Sequence, residues 1–346
     1  MAEPEPTQHE PDEGTPTITT VARLANVSIA SASRALNGIR TSPETLARVR
    51  EAAEAIGYAP NAAARSLRSR RTGQIVFAMP DVGNPVYTTM VGSIQEATRE
   101  SGWRLMLHST GADTEDELAI VRDLRHRFAD GLILATLDIT DAHVDELRHA
   151  ATPVVVIGRP SNELGVDVVR AYSRKGAAEA VRHLHAAGRR RIALLNGPQH
   201  TVPGSERRLG YFDGLRSCDL RRDDTLAELA SAFTVQPGRE AAVRLLARSR
   251  PDAILCTNDL LAVGALAALH DAGLEVPGDV ALVGMDNTPL SELVWPPLTS
   301  VDLGSAERAR IAAELLLERI EGSDAEPRVV GVEPALVVRA SSGAGA

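Results

Sequence analysis

The sequence predicts a small all-α head joined to an α/β body of two lobes built on parallel sheets. Three observations predict it. From Thr72 onward, short β-type apolar runs alternate with helical patterns, the order that places parallel strands between flanking helices. Residues 17 to 71 instead carry three short helix patterns and a fourth, basic one. At 346 residues the chain is long enough for a head and two such lobes, each with its own core.

Charge divides the chain in the same place. Residues 17 to 71 hold nine Arg against three Glu, a balance of +6, whereas the first sixteen residues hold five acids and no base. The formal total of −9 leaves −10 on residues 72 to 346. A cationic head on an anionic body is the footprint of a protein that touches a polyanion at one end only. Residues 1 to 16, MAEPEPTQHEPDEGTP, are acidic and Pro-rich, so a disordered tail is expected there. They lack the basic and apolar regions of a signal peptide, and no apolar run approaches the ~20 residues of a membrane span. The expected location is the cytoplasm, with no membrane partner. Cys218 and Cys256 lack CxxC spacing, which argues against a disulfide framework or a zinc site. Neither a metal nor a cofactor is expected.

In the head, residues 17 to 60, Thr17 is placed to cap a helix over about 18 to 25, with Ile18, Val21, Ala22 and Ala25 on one face. Asn26-Val27 makes the turn, since Asn tolerates the left-handed backbone needed after a helix. Ser28 caps a second helix over about 29 to 36, turning Ala32, Ala35 and Leu36 inward and Ile29, Ala30, Ser33 and Arg34 outward. Ser42-Pro43-Glu44 opens a third helix, which Gly57 ends. Two short helices joined by this turn form a helix-turn-helix, whose second helix is the one shaped to enter a major groove. In residues 61 to 72, Asn61 heads the short basic stretch Ala-Ala-Ala-Arg-Ser-Leu-Arg-Ser-Arg-Arg, which includes Ala64, Leu67 and Arg68. Ten residues without a large apolar stripe are marginal as a free helix.

The run V-A-R-L-A-N-V-S-x-A-S-x-S-R-A-L-N-G, then S-P-E-T, then G-Y-x-P-N-x-x-A-R-S-L, resembles the head of the lactose-repressor (LacI/GalR) family of bacterial transcription factors. The resemblance spans about fifty-five residues without a gap. It implies that Ile29, Ala30 and Arg34 read base edges. Arg34 has the chemistry for a bidentate contact to guanine, whereas Ile29 and Ala30 offer only apolar contact. Thr17 and Ser28 fit a double role as caps whose helix ends donate to phosphates. The basic stretch then becomes a hinge helix that folds on DNA, with Leu67 as an apolar wedge in the minor groove. The head departs from the family pattern at Asn26, where relatives usually have Gly.

In the body, residues 73 to 340, strands are expected at 75–79, 103–108, 131–135, 153–158, 166–169, 191–195, 252–256 and 280–284. Helices are expected over 86–101, 115–127, 174–187, 205–217, 239–249 and 258–272. A second loose tail is expected over 341–346. The alternation alone also fits a dinucleotide-binding domain, but neither GxGxxG nor a P-loop signature is present. The stretches PDVGNPVY (80–87), ERRLGYFDGL (206–215), CTNDLLAVGAL (256–266) and VPGDVALVGMDN (276–287) resemble the sensor core of the same family. That core is a periplasmic-binding-protein-like fold of type I, with a ligand held between the lobes at the carboxyl ends of the strands.

Carried over motif by motif, the resemblance places Arg207, Asp259 and Asp286 in a ligand pocket. Asn84, Val86 and Tyr87 stand at the mouth of the first strand. Other roles fit some of them: Asp259 suits a helix N-cap, Asp286 a loop turn, Arg207 an ion pair and Asn84 turn chemistry before Pro85. Trp295 fits either a stacking surface for a sugar ring or a loop-packing aromatic. Two departures mark the body: Tyr172-Ser173 replaces a common Asp-Asn near a lobe crossover, and Arg159 replaces an acidic residue. The resemblance implies a homodimeric, ligand-responsive repressor on a near-palindromic operator in double-stranded DNA. A sugar is the expected small-molecule effector, with a nucleobase or other polar metabolite as the alternative. No G-x-S-x-G, HExxH or DxDxDG pattern points to an enzyme. A solute-binding protein without DNA function would share the body but not the head.

Overall fold

Three side-chain caps set the helices of the head. Thr17 Oγ1 accepts from the amide of Thr20 (3.2 Å) and starts α1 (Ile18–Leu24). Ser28 Oγ accepts from Ser31 (3.1 Å) and starts α2 (Ile29–Leu36). Ser42 Oγ accepts from Thr45 (3.2 Å) and starts α3 (Pro43–Ala55), with Pro43 in its first turn. Each cap satisfies an amide that the helix itself leaves unpaired. Asn26 takes φ 52° between α1 and α2, so the turn forms without the glycine usual there. Val21, Ala22, Ala32, Ala35, Val49 and Ala53 form the core beneath, where small side chains let short helices approach closely.

This is a computed structural model that describes residues 16–37, 40–59, 71–99, 101–160 and 164–343. The chain divides into two units, Met1–Thr72 and Gly73–Ala346. The expected hinge residues Asn61, Ala64, Leu67 and Arg68 lie outside the described residues, as do positions 1–15 of the expected N-terminal tail.

The first lobe of the body contains β1 (Gln74–Met79), α4 (Pro85–Arg99), β2 (Arg104–Ser109), α5 (Thr114–Asp123), β3 (Gly131–Ala135), α6 (Asp141–Arg148), β4 (Val154–Ile157) and β5 (Asp167–Ala171). The second contains α7 (Ser173–Ala186), β6 (Ile192–Asn196), α8 (Val202–Ser217), β7 (Ala227–Leu229), α9 (Val235–Arg248), β8 (Ala253–Cys256) and α10 (Asp259–Asp271). It continues with β9 (Ala281–Met285), α11 (Leu290–Leu293) and β10 (Thr299–Asp302). The chain then returns. Helix α12 (Ser305–Ile320) packs on α4 and on β3, β4 and β5 of the first lobe. Strand β11 (Val329–Val332) joins the first sheet, and β12 (Ala335–Val337) joins the second.

The first sheet runs β11-β5-β4-β3-β1-β2 and is parallel throughout. The second runs β12-β10-β9-β8-β6-β7, parallel except where β12 pairs antiparallel with β10. Their central strands are apolar on both faces because helices cover both, as parallel sheets require. The expected two-lobed architecture is the one observed.

The elements differ from expectation at particular places. Helix α8 starts at Val202 because Thr201 Oγ1 caps it by accepting from Gly204 (3.1 Å). Helix α5 stops at Asp123, and a 3-10 turn carries the chain to Arg127. Residues 341 and 342, expected in a loose tail, are instead buried. Ser341 Oγ donates to the Leu282 carbonyl (2.6 Å) and accepts from the Thr299 amide (2.8 Å), while Ser342 Oγ bonds Thr299 and His183. The two serine hydroxyls, Ser341 on backbone groups of β9 and β10 and Ser342 on side chains, pin the end of the described chain to the second lobe.

Helices α9 and α10 cross at Gly264, where an added Cβ would overlap the Val235 carbonyl and the Arg239 amide. Backbone on the far side cannot yield as a flexible side chain would. Gly264→Ala is expected to destabilise the body by ~1–3 kcal/mol, the usual cost of overpacking. A fall in thermal midpoint without change in the head's helical signal checks it.

Candidate functional site

On the head, the N-terminal half of α2 is the exposed half. Ile29 is 48% exposed, an unusual placement for an isoleucine in so small a core. Ala30 and Arg34 are also exposed. Among the described residues Arg34 donates only a long bond to Ser31 Oγ (3.4 Å), which leaves its planar fork available to a partner. Ser33 is half-buried, and its Oγ accepts from Asn37 Nδ2 (3.3 Å), so it props the end of the helix as well as facing its rim. Thr17 and Ser28 are exposed caps. Arg23, Arg40, Arg48 and Arg50 add exposed positive charge to the same unit.

In the body, a cavity of about 580 Å³ lies between the lobes. The ends of β1, β3 and β4 open into it from the first lobe, and the start of α8 and the ends of β8 and β9 from the second. Asn84, Val86, Tyr87, Arg207 and Asp286 all line it. Asn84 also performs the turn chemistry, its Oδ1 accepting from the Val86 amide (3.1 Å) at the start of α4. Tyr87 is half-buried, and burial together with the Asp286 carboxylate raises its phenol above the usual range.

The floor is built on Arg207, which is 8% exposed. One arm of its fork donates to Asp286 Oδ1 (3.1 Å), the other to the Thr257 carbonyl, and Nε is buried without a partner among the described residues. Asp286 sits at φ 100°, a conformation that side-chain-bearing residues seldom adopt, held by its amide bonded to the Val301 carbonyl (2.8 Å). Strain retained at a cleft residue is typical of a position fixed for binding. Burial raises the Asp286 carboxyl, and the guanidiniums of Arg207 and Arg308 oppose that rise.

The structure places Asp259 behind this wall, outside the lining of the cavity. It is 1% exposed. Its Oδ2 accepts from the Thr288 amide (2.7 Å) and hydroxyl (2.9 Å), and its Oδ1 contacts Ser300 Oγ (2.6 Å). The helix cap is Asn258 instead, whose Oδ1 accepts from Leu261 (2.9 Å), and Asn258 does line the cavity. In the Asn-Asp pair, therefore, the first residue faces the cleft and the second braces the loop that carries Asp286. Trp295 lies outside the cavity and is 86% exposed, so neither ring stacking there nor loop packing describes it.

Glu117, Phe233 and Arg308 are among the lining residues that the sequence did not single out. Glu117 accepts from Thr136 Oγ1 (2.7 Å) and bonds buried His143 Nε2 (3.0 Å). Phe233 covers the second lobe's side, where an added Cβ at Gly197 would overlap its ring. Arg308 enters from α12, a helix absent from the expected elements. Spacing gave no signal for Arg308, because α12 reaches the cleft only after the chain has crossed back. Arg159 also lines the cavity and pairs with Glu206 of the other lobe.

An exposed basic helix-turn-helix, carried on a two-lobed body with a polar cavity between its lobes, defines a DNA-binding transcriptional regulator. Known proteins agree. The family described as bacterial regulatory proteins, lacI family, matches residues 17–61, and the periplasmic binding protein-like domain matches residues 181–342. The HTH-type transcriptional regulator DegA of Bacillus subtilis (strain 168) is 32% identical over 94% of this chain and 98% of its own. The transcriptional regulator CelR, solved with cellobiose, is 33% identical over 94% of this chain and 100% of its own, with a TM-score of 0.72. The lac repressor dimer bound to operator and the anti-inducer ONPF shares the fold, with a TM-score of 0.83 at 24% identity over 94% of this chain and 98% of its own. The chain belongs to the lacI family.

Burial and the neighbouring Asp286 charge raise the Asp259 carboxyl to about 7, against an ordinary value near 4. A group raised in the folded state favours folding while protonated, so its contribution is complete at low pH and is lost as pH rises through about 7. Asp259→Asn keeps an acceptor for Thr288 and gains a donor for Ser300. Thermal midpoints of wild type should fall more steeply than those of Asp259→Asn between pH 5 and pH 8; parallel curves would remove the claim.

Proposed function

We propose that the protein is a homodimeric repressor whose grip on a near-palindromic operator is set by a small-molecule effector, of the sugar class, bound between the lobes. The observation that carries this reading is the cavity walled by Arg207 and Asp286, on a chain whose separate head exposes Ile29, Ala30 and Arg34. A fixed carboxylate accepts from hydroxyls and an arginine fork donates in a defined plane, the complement that a polyol needs. The cellobiose held by CelR supports a sugar. The head's Arg-rich surface and apolar Ile29 and Ala30 fit phosphates and thymine methyls respectively. Leu67 is assigned the minor-groove wedge and Asn61, Ala64 and Arg68 the hinge around it, on the pattern of the sequence. Leu293 at 78% exposed and Trp295 at 86% offer an apolar patch for a second copy. Among the described residues no helix is long and apolar enough to cross a membrane.

A mobility-shift assay with DNA upstream of the protein's own gene tests the reading. Specific binding should fall steeply between low and ~0.2 M salt, as phosphate contacts release counterions. No specific complex at any salt would overturn it. Arg34→Ala should relax base choice at one position of each half-site, by ~1–3 kcal/mol of discrimination. A selection from random duplexes that returns an unchanged motif would remove Arg34 from base reading. Leu293→Asp with Trp295→Asp should shift the sedimenting species from dimer to monomer.

A further inference from the structure

The charges on the cavity floor do not cancel. Arg207 and Asp286 form one pair at 3.1 Å, and Glu117 is committed to Thr136 and His143. Asp81 and Asp138 are exposed, and each already accepts from a nearby amide, of Gly83 and Ile139 respectively. That leaves Arg308. It is half-buried, donates Nε to the Leu303 carbonyl (3.1 Å), and among the described residues forms no ion pair of its own, the Asp286 and Asp302 carboxylates acting on it only at longer range. Every other arginine that lines the cavity has a carboxylate partner: Arg159 has Glu206, and Arg207 has Asp286.

The position of Arg308 makes this costly without a ligand. It stands in the first turn of α12, where the helix dipole opposes a cation. The acid of that turn, Glu307, cannot compensate because both its oxygens bond Arg310. Helix α12 begins at Gly304, which supplies no side-chain cap. An unpaired, half-buried guanidinium against a helix N-terminus is a free-energy penalty that an incoming anion would relieve. Tyr87, whose hydroxyl has no hydrogen-bond partner among the described residues, stands on the same cavity wall and offers an O–H donor to the same anion.

We infer that the effector carries an anionic group, a carboxylate or a phosphate, which binds Arg308 and Tyr87 while its hydroxyls address Arg207 and Asp286. A sugar acid or a sugar phosphate, rather than a neutral sugar, is the class that fits. This rests on the cavity being the effector site of the regulator proposed above.

The test uses thermal shift of the full-length protein with matched probes: glucose, gluconate, glucuronate and glucose 6-phosphate, and cellobiose beside cellobionate. At least one acidic member should raise the midpoint more than its neutral parent, and the carboxylate and phosphate arms tell the two sources apart. Arg308→Met should weaken that acidic probe about 10- to 100-fold, the range for losing a charge-assisted contact, and Arg308→Lys should recover part of it. Without probe, Arg308→Met should be at least as stable as wild type; if it fails to fold, Arg308→Gln replaces it. A neutral sugar that stabilises more than its acids overturns the inference. So does a full acidic response in Arg308→Met, or no response to any probe. DNA binding by mobility shift separates the two readings. Retained DNA binding with no acidic response sinks only the anion, whereas an acidic response without DNA binding sinks only the regulator.

Discussion

Three neighbouring passages of one chain between two sheets constrain the rest of the body. The chain leaves the first lobe between Ala171 and Ser173, returns between Asp302 and Ser305, and leaves again between Val332 and Ala335. These passages touch. The Tyr172 amide donates to the Val332 carbonyl (3.2 Å), the Tyr172 ring lies where a side chain at Gly331 would have to go, and Gly304 leaves room for Val332. Three linked passages tether the two lobes along one edge of the cleft. Passages that leave a sheet cannot be covered by it, so the residues just beyond them, Ser173, Leu303 and Arg308, face the space between the lobes.

Within that space the charged groups form one network rather than independent contacts. Arg207 holds Asp286, Asp286 raises Asp259, and Asp259 braces Thr288 and Ser300 on either side of the loop that strains Asp286 to φ 100°. Removing one member leaves another buried without its partner, which costs more than the contact itself was worth. Such a network gives a site its selectivity, since a ligand lacking the matching group leaves the same penalty behind. Cys256, buried beside Asp259, belongs to the packing of this region. Burial and the Asp259 charge raise its thiol well above the usual range, which keeps it protonated.

Much of this was legible in the residues, for reasons that can be stated. The head's helices begin at Thr17, Ser28 and Ser42 because an oxygen side chain before an apolar period is a local signal, complete within four residues. Parallel strands such as Val154–Ile157 are apolar on both faces and bounded by turns, so they stand out as runs. What escaped was non-local or short. Helix α6 has only Val144 and Leu147 as large buried apolar residues, and its capping box uses His143 where Glu or Gln is the recognisable partner. Strands β7 and β12 are three-residue edges, and β11 contains Gly331. Helix α12 lacks a capping side chain and serves the lobe that the chain had left, so strand-helix alternation does not announce it. Asp259 carried the motif but does not line the cavity, because one residue's difference at a helix start turns a side chain from the cleft to the wall behind it.

The crossover geometry also limits which contacts could tell one arrangement of the lobes from another. A compound touching one lobe would bind every arrangement of the lobes alike and would shift nothing. The contacts that distinguish arrangements are those that span the lobes. In this structure they include Arg159 with Glu206, and the Val202 amide donating to the Leu137 carbonyl (2.8 Å). Both lie at the start of α8, within two turns of Arg207, and Arg159, Leu137 and Val202 all line the cavity. A ligand anchored on Arg207 and Asp286 from one side and on Asn84 and Tyr87 from the other therefore adds its own span to an existing pair. The pair itself is half-exposed and contributes little by itself, so it biases the equilibrium without locking it. An acid at position 159 would repel Glu206 and leave the span to the ligand alone. The arginine here gives the two lobes a contact of their own, which any bridging ligand would add to.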